Sequence, residues 1–321
     1  MKKILLIVLP LLLIFGCSKE PINYEETLNE RDGVFYTKDT NKPYSGQVFS
    51  LYGDGKKKEE GTYKDGKEDG LWTYWDENGE KDSSGTYKDG ELDGRRTSWW
   101  ENGQKWYEIN YKNGKKDGLE TWWDRNGQKD REVTSKNGKW DGLYTQWYDS
   151  GQKIQEETYK DGELDGRRTS WYENGQKSSE KTYKDGKKDG KWTKWLENGQ
   201  KEEEETYKDG ELDGRRTSWY ENGQKSSEKT YKDGRPDGLW TDWYENGQKK
   251  REGTWKDGKQ DGLWTSWHEN GQKWSEGTFK DGKQDGKWTE WYENGQKGWE
   301  GTYKDGKLIS SKEWNEDGTE Q

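Results

Sequence analysis

One cysteine and one histidine occur in 321 residues, and that scarcity removes whole classes of chemistry. A lone Cys17 forms no intramolecular disulfide. His268, with no second histidine and no nearby cysteine, supplies neither a zinc site nor the base of a nucleophilic triad. No phosphate-cradling loop or dinucleotide fingerprint is present, because the 43 glycines fall at hairpin spacing. Aliphatic residues are also few: 24% of the chain is hydrophobic against 38% charged, with a mean hydropathy of -1.67. Such depletion, with a net charge of -10, usually marks a disordered chain. It also argues against a nucleic-acid partner, which needs clustered positive charge. These absences together predict a chain that is not an enzyme and carries no cofactor.

What is abundant reverses the disorder reading. There are 23 tryptophans and 20 tyrosines, and each such ring buries roughly 150–250 Å². The sequence therefore predicts an ordered core made of rings in place of aliphatic side chains.

The only long apolar run lies at the start, in "MKKILLIVLPLLLIFGC". Two lysines followed by an apolar run from Ile4 to Phe15, too short to span a bilayer, predict a signal peptide over residues 1–16. "IFGC" places small Gly16 before Cys17 and resembles the lipobox of bacterial lipoproteins. That resemblance implies lipidation of Cys17, cleavage before it, and anchorage in a bacterial cell envelope. Ser18 stands where an inner-membrane retention Asp would be, which favours the outer membrane or cell surface. Several acyl chains, at about 0.8 kcal/mol per buried CH₂, would hold the anchor firmly. Residues 17–33 are polar and acidic without periodicity, and are expected to be the lipidated Cys and a flexible tether.

Beyond this the chain repeats. Copies of 24 residues begin at 61, 85, 109 and onward to 277, ten in all, and the stretch "TYKDGELDGRRTSWYENGQKSSEKTYKDG" occurs unchanged from Thr158 and again from Thr206. A degenerate unit covers 34–60, and a partial, capping copy covers 301–321. Fixed self-similarity of this length is the signature of a repeat architecture. Within "GTYKDGKEDGLWTYWDENGEKDSS" (61–84), short runs of alternating residues are separated by Asn-Gly and by two Asp-Gly steps. Asn78-Gly79 is expected to form the tight type I′ turn, and Asp-Gly a second turn, so each unit is two strands. The expected fold is all-β, an elongated array of antiparallel hairpins.

Alternation assigns two faces. Leu71, Thr73 and Trp75 point one way, Trp72 and Tyr74 the other. Trp75, Trp99, Trp123, Trp147, Trp171, Trp195, Trp219, Trp243, Trp267 and Trp291 recur without change and are expected to be a core ladder, buried only by stacking on neighbours. The other face varies. Trp72, Trp192, Trp240, Trp264 and Trp288, with Tyr172, Tyr220, Tyr244 and Tyr292, are the candidate ligand face, suited to sugar rings, quaternary ammonium groups or extended peptides. The competing reading is that these rings pack on one another and on Lys and Arg stems. Asp65 and Asp69 and their equivalents place two carboxylates four residues apart in every unit. Calcium is one reading of that spacing. The lysines beside them and the lack of alternating acids favour turn chemistry.

The residues Tyr63, Gly66, Gly70, Trp72, Trp75 and Gly79 and their equivalents resemble the MORN repeat in its bacterial variant form. The likeness covers about residues 34–318, departing in Trp where Tyr is more usual. It implies a single-layer antiparallel sheet serving as a protein- or lipid-binding scaffold, and some bacterial members carry an antitoxin label. The expected function is a lipid-anchored, multivalent envelope scaffold for a protein or polysaccharide partner. The alternatives are a carbohydrate- or choline-type wall-binding module and an antitoxin or immunity-like protein.

Overall fold

The structure, a computed structural model, describes residues 20–321. The signal-peptide and Cys17 readings lie outside the described residues. The regular structure of the described residues is β-strand apart from one short helix, and the chain divides into two compact units, one ending at Lys115 and one running from Lys116 to Gln321.

In the second unit each repeat contributes two long strands paired in sequence order. Lys139–Trp147 pairs antiparallel with Lys153–Lys160, that strand with Glu163–Trp171, and that one with Lys177–Lys184. The pattern continues to Lys297–Lys304 and Lys307–Glu313. In the first unit Gly46–Leu51, Lys57–Lys64, Gly70–Trp75, Lys81–Lys88, Glu91–Trp99 and Lys105–Lys112 pair in the same way.

The turns exchange the roles expected for them. Asp65 (φ 51–46° across most of the series, 49° here) and Gly66 (φ 78°) are both left-handed, and Lys64 pairs with Lys67. Asp-Gly is thus the two-residue type I′ turn, which requires positive φ at both central residues. Asn78 keeps negative φ, and only Gly79 is left-handed (φ 89°). Asn-Gly sits inside a longer connection, closed by Gly79 N–H to Asp76 O (3.0 Å) and Asp76 N–H to Glu80 O (2.9 Å). The pairing slips there, from Tyr74 opposite Ser83 to Trp75 opposite Lys81. The second Asp-Gly is no turn either. Its residues form a bulge within a strand, as where Gly85 faces Arg96 but Tyr87 faces Leu92. Gly94 at φ 134° permits the bulge, and a Cβ there would lie 2.8 Å from Thr86 Cβ.

Residues 20–33 correct the tether reading. Ile22–Asn23 pairs in parallel with Val48–Phe49, a single turn of helix covers Tyr24–Thr27, and Leu28–Arg31 forms a hairpin with Val34–Thr37. The segment folds because its few apolar side chains find rings to cover. Tyr24 meets Phe35 edge-on at 5.5 Å, and Phe35 stacks on Tyr63 at 4.5 Å. Leu28, Tyr44, Val48, Tyr63 and Trp72 form the buried cluster beneath.

Trp72 owes its burial to a glycine. Its indole lies flat across Gly61, where an added Cβ would come within 2.2 Å of the ring, and its N–H donates to Thr62 O (3.2 Å). Trp264 lies across Gly253 in the same way, with its N–H on Thr254 O (3.2 Å). Gly253→Ala should therefore lift the Trp264 ring and destabilise the second unit by about 1–3 kcal/mol, as overpacking does. The checks are the urea midpoint and hydrogen exchange across Lys249–Lys256; unchanged values would show that the ring moves freely.

Candidate functional site

The two faces of the sheet carry different chemistry. The threonine face hardly varies. Thr73, Thr97, Thr121, Thr145, Thr169, Thr193, Thr217, Thr241, Thr265 and Thr289 are all buried. Beside them runs the row from Trp75 to Trp291, expected as a core ladder. Every one of these ten rings is only half-buried, because a single sheet offers no opposing layer. Lysines cover them instead. Lys57 lies over Trp75 (5.0 Å to the centroid), Lys153 over Trp171 (5.8 Å), Lys201 over Trp219 (5.5 Å) and Lys249 over Trp267 (5.8 Å). Except for Lys81, which has Ser84 three residues on, the covering lysines pair with the glutamate three residues on, as in Lys57–Glu60 (2.6 Å), Lys201–Glu204 (2.7 Å) and Lys249–Glu252 (2.6 Å). Several of those carboxylates are anchored by the threonine row as well: Thr241 donates to Glu252 (3.2 Å) and Thr265 to Glu276 (3.3 Å). These rows are internally satisfied, whereas the leucines on the same face (Leu71, Leu119, Leu143, Leu239 and Leu263) stay exposed.

The candidate ligand face needs three corrections. Trp72 and Trp264 are 1% and 5% exposed and belong to the core. Trp288 is half-buried against Phe279 (5.3 Å), with its N–H on Thr278 O (3.3 Å). The tyrosines Tyr172, Tyr220, Tyr244 and Tyr292 point their hydroxyls along the array. They donate to the carbonyls of Trp195 (2.8 Å), Trp243 (2.7 Å), Trp267 (2.9 Å) and Trp314 (2.9 Å). His268 occupies the same place, with Nε2 3.0 Å from Trp291 O. These are staples between repeats. Where Asp replaces Tyr, its carboxylate closes its own turn, Asp76 accepting from the amides of Asn78 and Glu80 (2.9 Å each).

Trp192 and Trp240 remain as half-buried rings on the variable face. Trp192 lies between Tyr183 (5.4 Å) and Tyr207 (4.9 Å). Lys188 Nζ stands 4.1 Å above it and Lys181 Nζ 4.9 Å. Lys229 Nζ stands 4.1 Å above Trp240. The rings thus hold the chain's own ammonium groups. Sequence reasoning missed Trp106 and Trp274, which are 43% and 51% exposed. Their signal was a departure from the other repeats, which carry Asp, Ser, Lys, Glu, Ile or Gly at that place.

The paired aspartates do structural work. Asp285 accepts the amide of Asp305 (3.3 Å) and the ammonium of Lys304 (3.1 Å), and Asp117 accepts the amide of Asn137 (3.2 Å). Asp141, Asp189, Asp213 and Asp237 do the same, so in these repeats the bulge aspartate caps the next type I′ turn. Among the described residues no group of three or more His, Cys, Asp and Glu side chains is gathered as a metal site would require.

The 24-residue hairpin, its left-handed Asp-Gly turn and its recurring Trp are matched by the profile of the "MORN repeat variant" over ten segments, from 68–89 through 284–305. The chain belongs to the MORN repeat variant family. No curated protein matches this MORN chain. Among solved structures it is similar to the Photorhabdus luminescens Tc holotoxin pore (12% identity, TM-score 0.21), covering 89% of this chain and 16% of that one. It is also similar to a TcdB2–TccC3 crystal structure (11% identity, TM-score 0.18), covering 88% and 16%. The chain thus spans about a sixth of those proteins (16% of each), and at those scores neither likeness carries an argument. A MORN array is a repeat-based binding or scaffold architecture.

Two outcomes follow for the rows. Tyr220→Phe should cost about 1 kcal/mol locally, seen as faster hydrogen exchange at Tyr244–Gly247; an unchanged rate would mean the staple is idle. The second concerns acid. The hydrogen bond from Lys177 holds the Glu180 carboxyl below its usual range, and those from Lys297 and Lys287 do so for Glu300. A carboxyl depressed in the folded state stabilises above its unfolded pKa, about 4.3. That contribution is lost as pH falls through the folded value. Stability followed by circular dichroism should therefore hold from neutrality to about pH 5 and decline below about pH 4.

Proposed function

We propose that this chain is a lipid-anchored array of the bacterial cell envelope, outer membrane or surface, that binds a protein or polysaccharide partner without catalysing a reaction. The observation that carries the binding part is the division of labour between faces. The Thr, Trp, Lys and Glu rows of the threonine face are engaged in contacts with one another, whereas the variable face changes its side chains from repeat to repeat around a constant backbone. Weak contacts along such a face add through multivalency. Anchorage rests on "IFGC" and Cys17. The choline-type alternative has less support, because Lys188 and Lys229 already cover the rings such a cation would need. A polysaccharide without positive charge is the better match to that face.

The test is metabolic labelling with a fatty-acid analogue, together with protease shaving of intact cells. Wild-type chain should take up label and Cys17→Ser should not. Loss of the repeats on shaving, with a periplasmic control intact, is expected for surface display. A chain that is unlabelled and recovered in the soluble fraction would overturn the anchored reading.

A further inference from the structure

In a chain of net charge -10, the lysines over the threonine-face rings, Lys81 excepted, are paired with glutamates. Three on the variable face are not. Lys181, Lys188 and Lys194 line one cavity of about 220 Å³ beside Trp192 and Tyr207, and among the described residues none of the three pairs with a carboxylate. The cavity also carries Glu203 and Glu205, but these are engaged elsewhere. Arg216 binds both, at 2.5 Å to Glu203 and 3.2 Å to Glu205, and Tyr207 donates its hydroxyl to Glu205 (2.8 Å). Lys188 reaches only the Tyr207 hydroxyl (3.4 Å) and the two ring faces. Each ammonium over Trp192 therefore has a π face on one side and no direct ion pair on the other, and the nearest carboxylate charge, Glu205, is shared with Arg216.

We propose that this cavity binds an acidic sugar, its carboxylate held by Lys181, Lys188 and Lys194 and drawing the Lys188 ammonium off the faces of Trp192 and Tyr207, which then receive the sugar ring. The proposal names the partner class for the variable face and rests on reading that face as the binding face. Ammonium groups need either water or an anion, and burial removes the water from Lys181. Burial first, then the positive charges of Arg168, Lys194 and Lys188, outweigh the nearby Glu205 carboxylate and hold the Lys181 ammonium below its usual range. A bound carboxylate would relieve that cost. Ring stacking adds the apolar surface that sugar recognition uses.

The duplication supplies an internal control. Thr158–Gly186 and Thr206–Gly234 are identical, so Lys181 over Trp192 recurs as Lys229 over Trp240. Beyond the copied block the neighbours differ. Pro236 stands in the place of Lys188 and Asp242 in that of Lys194, and Asp242 accepts from the Trp240 N–H (3.2 Å) and pairs with Arg251 (2.8 Å). Arg251 and Gly253 stand in the places of Glu203 and Glu205, so among the described residues the second site keeps one unpaired ammonium, Lys229, where the first gathers three.

The experiment uses the purified full chain in detergent, titrated by calorimetry at low ionic strength with trigalacturonate, its fully methyl-esterified neutral form, and inorganic phosphate. One site is expected for trigalacturonate, weakened roughly tenfold or more in Lys188→Gln/Lys194→Gln and by added salt. Pro236→Lys/Asp242→Lys should add a second site at Trp240, a gain that misfolding cannot mimic. Equal binding of the esterified form, no binding of the acid, or no effect of the lysine substitutions would overturn the proposal. Phosphate binding as tightly as the sugar would overturn the sugar assignment. Failure here leaves the labelling and shaving results untouched, so the two readings fall separately.

Discussion

A lysine stem laid across an indole, its ammonium then passed to a glutamate three residues on, is the contact on which most of this protein depends. An open sheet has no second layer, so a ring on its surface is buried only by neighbours in its own row. Each element of the contact is modest, about 0.5–1 kcal/mol for an exposed ammonium over a ring and about 0–1 kcal/mol for a surface ion pair. Repetition makes them sufficient, because every repeat is both the support and the supported. The composition then follows. Rings, lysines and glutamates replace the leucine and valine of an ordinary core, and a chain that looks disordered by charge is held in register by that same charge.

Legibility in the sequence divided along physical lines. Period, strand number and the β class were readable because they depend on spacing alone. The turns were half readable: Asn-Gly and Asp-Gly both favour left-handed backbone, and the choice between them depends on cross-strand register, which spacing does not display. Alternation separated the two faces correctly but could not rank their burial. Trp72 is covered because Gly61, on the neighbouring strand, lets it lie flat, and because Tyr24 and Phe35 build a lid around Tyr63. Residues 20–33 looked like a tether because their pairing is parallel and their apolar residues few. The tyrosine staples left one trace, since His268 keeps a hydrogen-bonding ring at the same phase as Tyr244 and Tyr292.

The identical 29-residue copies show where individuality enters such an array. Trp192 and Trp240 each complete a site begun by the preceding copied block, so the same residues acquire different surroundings from what comes next. A site on the variable face straddles two repeats. Changing two side chains in one repeat can therefore recast a site without disturbing the rows on the other face.

The two ends of the pairing order are dressed differently. Gly46–Leu51 is shielded on its outer side by Ile22–Asn23, whereas among the described strands Lys307–Glu313 pairs only with Lys297–Lys304, its outer side touched just at the far end by Gln321 N–H on Glu313 O (3.0 Å) and by Glu320 on Lys312 (2.7 Å). Under tension this asymmetry gives the second unit a weak end. Antiparallel hairpins pulled from a bare margin unzip one bond at a time instead of shearing together. Each 24-residue repeat would then pay out about 80 Å of extended chain before its neighbour is loaded, which would make the array a stepwise extensible spring.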